Sequence, residues 1–122
     1  MLKTITTCFF LSFSSLTLAN EYCSVLQEEI DFQLKSTEAS VMIFNEEFKK
    51  VENSTLECKD VQSLITRGHE IIAIIKETRE KAIVLEENCG VNTPIKDDDT
   101  EVSLRIPYIH FYKIINCPKT NL

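Results

Sequence analysis

Residues 58–89, CKDVQSLITRGHEIIAIIKETREKAIVLEENC, decide the fold. Apolar side chains recur at Val61, Leu64, Ile65, Ile71, Ile72, Ile75, Ala82 and Leu85. That is the three-and-four spacing of one buried helix face, not the alternation of a strand. The stretch reads as a single long helix with a cysteine at each end. At about 1.5 Å per residue those cysteines stand roughly 46 Å apart. They cannot bond to each other while the helix is continuous.

Working outward, Gly90 is the expected left-handed residue closing this helix, with Val91 as its apolar contact. Gly68 lies on the seam, where glycine costs about 1 kcal/mol against alanine. Close approach of a neighbouring helix or of a phenylalanine accounts for it more simply than a hinge or ligand notch does. Upstream, Ser54-Thr55-Leu56-Glu57 has the form of a capping box, with Ser54 opening the helix. Asn53-Ser54-Thr55 is also a glycosylation sequon, meaningful only in a eukaryotic secretory pathway.

Before this turn a second long helix is expected from Asn20, its N-cap, with Glu21, Glu28, Glu29 and Asp31 toward the positive end of its dipole. Ile30, Leu34, Thr37, Val41, Phe44, Phe48 and Val51 follow steps of four and three, the pattern of a helix packed lengthwise against another. Only Thr37 breaks the apolar seam. After Gly90, residues 91–100 read as a loop marked by Pro94 and by Asp97, Asp98 and Asp99. A last helix is expected from about Pro107 to Asn116, with Leu104, Tyr108, Phe111 and Ile115 on one face. Residues 100–106 fit either an extended or a helical state, because Val102, Leu104 and Ile106 alternate as a strand would while the acidic residues ahead of them suit a helix start.

Residues 1–19 have a lysine near the start, an apolar run and small residues at Thr17 and Ala19, which suit a signal peptide cleaved after Ala19. Residues 20–122 are then one domain, secreted or periplasmic, with no transmembrane segment. Four cysteines remain, Cys23, Cys58, Cys89 and Cys117, spaced by 35, 31 and 28 residues. An even number in an exported chain with no close CxxC pair indicates two disulfides, not metal or redox thiols.

Three helices joined by modest loops make an up-down-up bundle, and that architecture selects the pairing. Cys58 with Cys89 is excluded by helix length. Cys23 with Cys58 is excluded because both begin antiparallel helices and lie at opposite ends, whereas a disulfide needs alpha carbons within about 7 Å. Cys23 with Cys89, and Cys58 with Cys117, survive. The expected fold is therefore an all-α, up-down-up three-helix bundle stapled at each end.

With 12 basic against 19 acidic side chains after removal of Lys3, the mature charge is −7, which makes nucleic acid and anionic membrane surfaces poor partners. Catalytic constellations are not evident. His69-Glu70 resembles the start of HExxH, but Ala73 stands where the second histidine is needed. His69 reads as a surface position and His110 as part of an aromatic surface with Tyr108, Phe111 and Tyr112. Asp97, Asp99 and Glu101 alternate as calcium ligands would, yet there is no turn glycine, and Tyr108 occupies the place of the bidentate glutamate. With two glycines in the chain there is no phosphate loop.

The expectation is a non-enzymatic protein without cofactor or metal that binds another exported or envelope protein, as an inhibitor, immunity or accessory factor. Asp97, Asp98 and Asp99 with Tyr108 and Tyr112 are the candidate contacts, a charged loop beside aromatics being a common interface composition. The alternative is a carrier in which Ile71, Ile72, Ile75, Phe44, Phe48 and Phe111 line an interhelical cavity for a small apolar ligand.

Overall fold

The computed structural model describes the backbone of residues 2–118 and the side chains of residues 20–118. Helix α1 spans Leu2–Glu52, α2 Cys58–Cys89 and α3 Asp98–Asn116, with no strand among the described residues. They pack up, down and up. The disulfides are Cys23–Cys89 and Cys58–Cys117, with alpha carbons 5.9 and 5.6 Å apart. Each closes one end of the bundle, as elimination predicts.

The expected N-cap at Asn20 does not form in this chain, because α1 runs straight through it. No proline or glycine interrupts residues 2–52, so nothing in the local sequence stops the helix. The signal-peptide reading of residues 1–19 concerns side chains outside the described residues. Further along, the seam is as expected: Ile30, Thr37, Val41, Phe44, Phe48 and Val51 are buried, and Leu34 is half-buried.

The capping box also fails. Ser54 adopts φ 56°, in the left-handed region, and ends α1 instead of starting α2. Its N–H donates to the Val51 carbonyl at 3.1 Å, and the Thr55 N–H donates to the Lys50 carbonyl at 2.7 Å. This is the paired closure of a Schellman motif, with serine where glycine is usual. Leu56 can then enter the core, and α2 begins at Cys58, with Glu57 in extended conformation and making no side-chain cap bond. The orphan carbonyls of α1 took precedence over the orphan amides of α2. Asn53 of the sequon is exposed on this turn. At the far end of α2, Gly90 is left-handed at φ 68°, its N–H donating to the Glu86 carbonyl at 3.0 Å, as expected.

Gly68 is where the helices come closest. A Cβ there would lie 3.0 Å from Phe44 Cε2 and 3.1 Å from both Ile106 Cγ1 and Ile106 Cδ1. The glycine exists to seat a phenylalanine of α1 and an isoleucine of α3 against the backbone of α2.

Helix α3 differs most from expectation. It begins at Asp98, nine residues before Pro107, and Pro107 lies inside it. Asp98, Asp99 and Glu101 occupy the first turn, where they complement the helix dipole. Val102, Ile106, Ile109 and Tyr112, at steps of four, three and three, enter the core. Burying Val102 and Ile106 requires helix over the stretch that also reads as alternating. Proline costs one backbone bond, to the Ser103 carbonyl, and both residues are exposed, so water can take that acceptor.

The core is divided. One cluster runs from Val41 through Tyr112 and contains Phe44, Ile71 and Ile109; a smaller one joins Leu26, Ile30, Ala82 and Leu85. Half-buried Ile95, from the α2–α3 loop, packs against both. Between them lie Thr37 and Thr78, the two buried polar side chains among the described residues.

Candidate functional site: the outer face of α3

The face of α3 that groups Leu104, Tyr108, Phe111 and Ile115 points outward. Leu104 is 74% exposed, Tyr108 53%, Phe111 60% and Ile115 63%, and Ile114 beside them is 74% exposed. The four are correctly grouped, but the helix carries two apolar faces, and the bundle takes the one through Val102, Ile106, Ile109 and Tyr112. Specific bonds fix this rotation. The Tyr112 hydroxyl donates to the Leu56 carbonyl at 2.7 Å in the interior. Arg105 donates to the Asn45 side chain, pairs with Glu101 at 2.6 Å, and sits 4.8 Å from the centroid of the Phe48 ring. Cys117 then ties the end of α3 to the start of α2. Turning the outer face inward would break all of these.

Tyr112 is therefore withdrawn from the candidate contacts, being 7% exposed with its hydroxyl used internally. Tyr108 stays at the surface, its ring meeting Phe48 edge-on at 5.6 Å between centroids. The three aspartates divide. Asp97 is exposed, Asp98 is half-buried, and Asp99 accepts a bidentate pair from Arg79 of α2 at 3.0 and 3.1 Å. Asp99 is thus a structural anchor for the start of α3. The signal for it in the sequence is slight, since Arg79 is one of only two arginines on α2.

The Arg79 guanidinium, by hydrogen bonding, holds the Asp99 carboxyl below the ordinary aspartate value, against the opposing effect of partial burial. A carboxylate whose folded value lies below its unfolded one, about 3.9, contributes stability in full above that pH and loses it as acid passes through the folded value. Asp99→Asn is expected to lower stability at pH 7 by less than about 1 kcal/mol, since Arg79 is partly in solvent. Urea titrations from pH 7 to 2.5 should show the variant and wild type converging below pH 4. A gap unchanged by pH would contradict the pairing.

On α1, Val25, Phe32, Met42 and Ile43 are also exposed. The intervening positions on the line from Val25 through Phe32 to Ile43 are Glu29, Ser36 and Ala39, and the two polar ones keep the apolar face from being continuous. His69 is exposed, as expected for a surface position, and so is His110. Among the described residues no three His, Cys, Asp or Glu side chains converge as metal ligands would, and no helix is long and apolar enough to cross a membrane. Of the residues expected to line a carrier cavity, Phe44, Phe48, Ile71 and Ile75 pack into the main core cluster with Ile72 against it, while Phe111 faces solvent.

Fold and surface together define a disulfide-stapled three-helix bundle that displays an apolar helix face. No protein-family model, curated protein or solved structure matches the chain.

Proposed function

We propose that this is an exported, non-enzymatic protein, directed out by residues 1–19 with cleavage after Ala19, that binds another exported or envelope protein through the outer face of α3. The two disulfides support an oxidising compartment. The observation that carries the binding reading is the exposed run Leu104, Tyr108, Phe111 and Ile115, at steps of four, three and four, on a helix whose core contacts are already complete. Helix-in-groove recognition uses this spacing of anchors, with aromatic side chains contributing most.

The partner's chemistry follows from the rim. Asp97, Asp98 and Glu101 gather at one end of the face, on a chain of net charge −6. The matching surface is an apolar groove bordered by lysine or arginine. A second copy of this chain is disfavoured, because it would bring two acidic ends and two net negative charges together.

The test is capture from the native exported fraction with the oxidised mature protein, beside the triple variant Leu104→Ser, Phe111→Ser, Ile115→Ser. Each substitution is expected to change stability by no more than about 0.5 kcal/mol, as for surface positions. Wild type should retain a basic-rimmed partner, released by salt, and the variant should not. Equal capture by both, or a partner retained only through the α1 surface, would refute the reading; self-association lost in the variant would replace it with a homodimer.

A further inference from the structure

The gap between the two core clusters is a cavity of about 210 Å³ between α1, α2, the α2–α3 loop and the first residue of α3. Leu34, Ile75 and Ile95 line it together with Thr37. Exposed Glu38, Pro94 and Lys96 form its rim with half-buried Asp98. Thr37 is 7% exposed, and its Oγ1 is a buried hydroxyl with no hydrogen-bond partner. The neighbouring buried threonine is not in this state: the Thr78 hydroxyl donates to the Ile74 carbonyl at 2.7 Å, and the Gln33 side-chain amide lies 2.9 Å away. A threonine inside a helix ordinarily satisfies itself in that way, on the carbonyl one turn back. Thr37 does not, though it occupies a seam position where valine would fill the same space without an orphaned hydroxyl, at a saving of about 1–3 kcal/mol.

We infer that the cavity is a binding site for a small, neutral, mostly apolar molecule bearing one hydroxyl, with Thr37 Oγ1 as its polar anchor. Three observations set that class. The size exceeds that of the roughly 150 Å³ apolar cavity that takes benzene, so about ten non-hydrogen atoms fit. The inner wall is aliphatic apart from one hydroxyl, which calls for a ligand with one matching polar group. At the rim, Glu38 and Asp98 outnumber Lys96, which disfavours an anion, and the aliphatic inner wall offers a cation no partner at depth. Water alone is poorly suited, since a buried water needs two to four polar partners and the inner wall supplies one side-chain group. Ile95, packed on both clusters, belongs to a loop rather than a helix, so entry requires only that segment to move. The site shares Asp98 with the acidic end of the outer face of α3 but does not rest on that face.

Thymol, a phenol of this size, and p-cymene, the same skeleton without the hydroxyl, distinguish the outcomes when titrated into the oxidised mature protein and followed by NMR shifts of assigned residues. Thymol should bind saturably, with shifts centred on Leu34, Thr37, Ile75 and Ile95, and about tenfold more tightly than p-cymene, the equivalent of about 1.4 kcal/mol. Thr37→Val should erase that preference while leaving p-cymene binding intact. No saturable binding of thymol up to its solubility limit would overturn the inference. So would equal binding of both compounds to wild type, or shifts centred on Tyr108 and Phe111 instead. The wild-type comparison alone decides the matter if the variant folds poorly.

Discussion

Replacing Cys58 and Cys117 together with alanine is expected to lower stability by about 4 kcal/mol. The bridge closes a span of 59 residues, and the entropy removed from the unfolded chain on closing a loop of that length has this size. The cost is large against the 5–15 kcal/mol that holds a typical domain together. It should also fall unevenly. α3 is the shortest helix, contains Pro107, and is held at its other end by the partly exposed Arg79–Asp99 pair. Cys117 packs against the main core cluster. Losing the bridge should therefore free the C-terminal half of α3 first. Urea unfolding gives the energy, and native-state hydrogen exchange gives its distribution: amides of residues 108–116 should lose protection before those of the α1–α2 pair. A loss below about 1 kcal/mol, or uniform loss of protection, would mean that side-chain packing alone positions α3. The Cys23–Cys89 bridge, separated by 66 residues, should cost a similar amount but leave α3 in place.

Phe44→Ala should cost about 3–5 kcal/mol, the range for truncating a fully buried aromatic side chain. Phe44 is 0% exposed, stacks on Phe48 at 6.5 Å between centroids, and lies where Gly68 lets α1 and α2 approach. Its coupling to Gly68 makes the prediction specific. Alone, Gly68→Ala gains about 1 kcal/mol in helix propensity but must push aside a ring and an isoleucine that have no free space, at about 1–3 kcal/mol. The net effect should be destabilising. With Phe44 truncated the ring contact is gone and Ile106 can shift into the void, so Gly68→Ala should then be stabilising. A double-mutant cycle by urea denaturation measures this reversal of sign. Additive effects would show that the contact at Gly68 is looser than the structure has it.

Much of this architecture is legible in the residues, for reasons that can be stated. The α1 seam is readable because seven positions keep the four-and-three rhythm, and a rhythm of that length does not fit a strand. The disulfide pairing is readable because helix length is a ruler: once residues 58–89 are one helix, two of the three pairings are geometrically excluded. What was not legible had two acceptable local readings. Ser54 satisfies the capping-box pattern and can also close the preceding helix, and only the register of the turn decides. Helix α3 has two apolar faces. The face through Leu104, Tyr108, Phe111 and Ile115 is the longer and more aromatic, so hydrophobicity alone selects it. The choice was made instead by Arg105, by the Tyr112 hydroxyl and by the Cys117 tether, all of which act between segments distant in sequence. The Asp99–Arg79 pair is hidden for the same reason. Thr37, by contrast, stands out in both, as the break in a regular seam and as the buried hydroxyl without a partner.

Hydroxyl-radical footprinting of the oxidised protein, read residue by residue along α3, tests the exposed apolar face most directly. Phe111 and Tyr108 should be oxidised readily and Tyr112, one residue from the first and four from the second, should be protected. Protection of Phe111 with ready oxidation of Tyr112 would show that the helix is turned the other way and that the proposed binding face is part of the core.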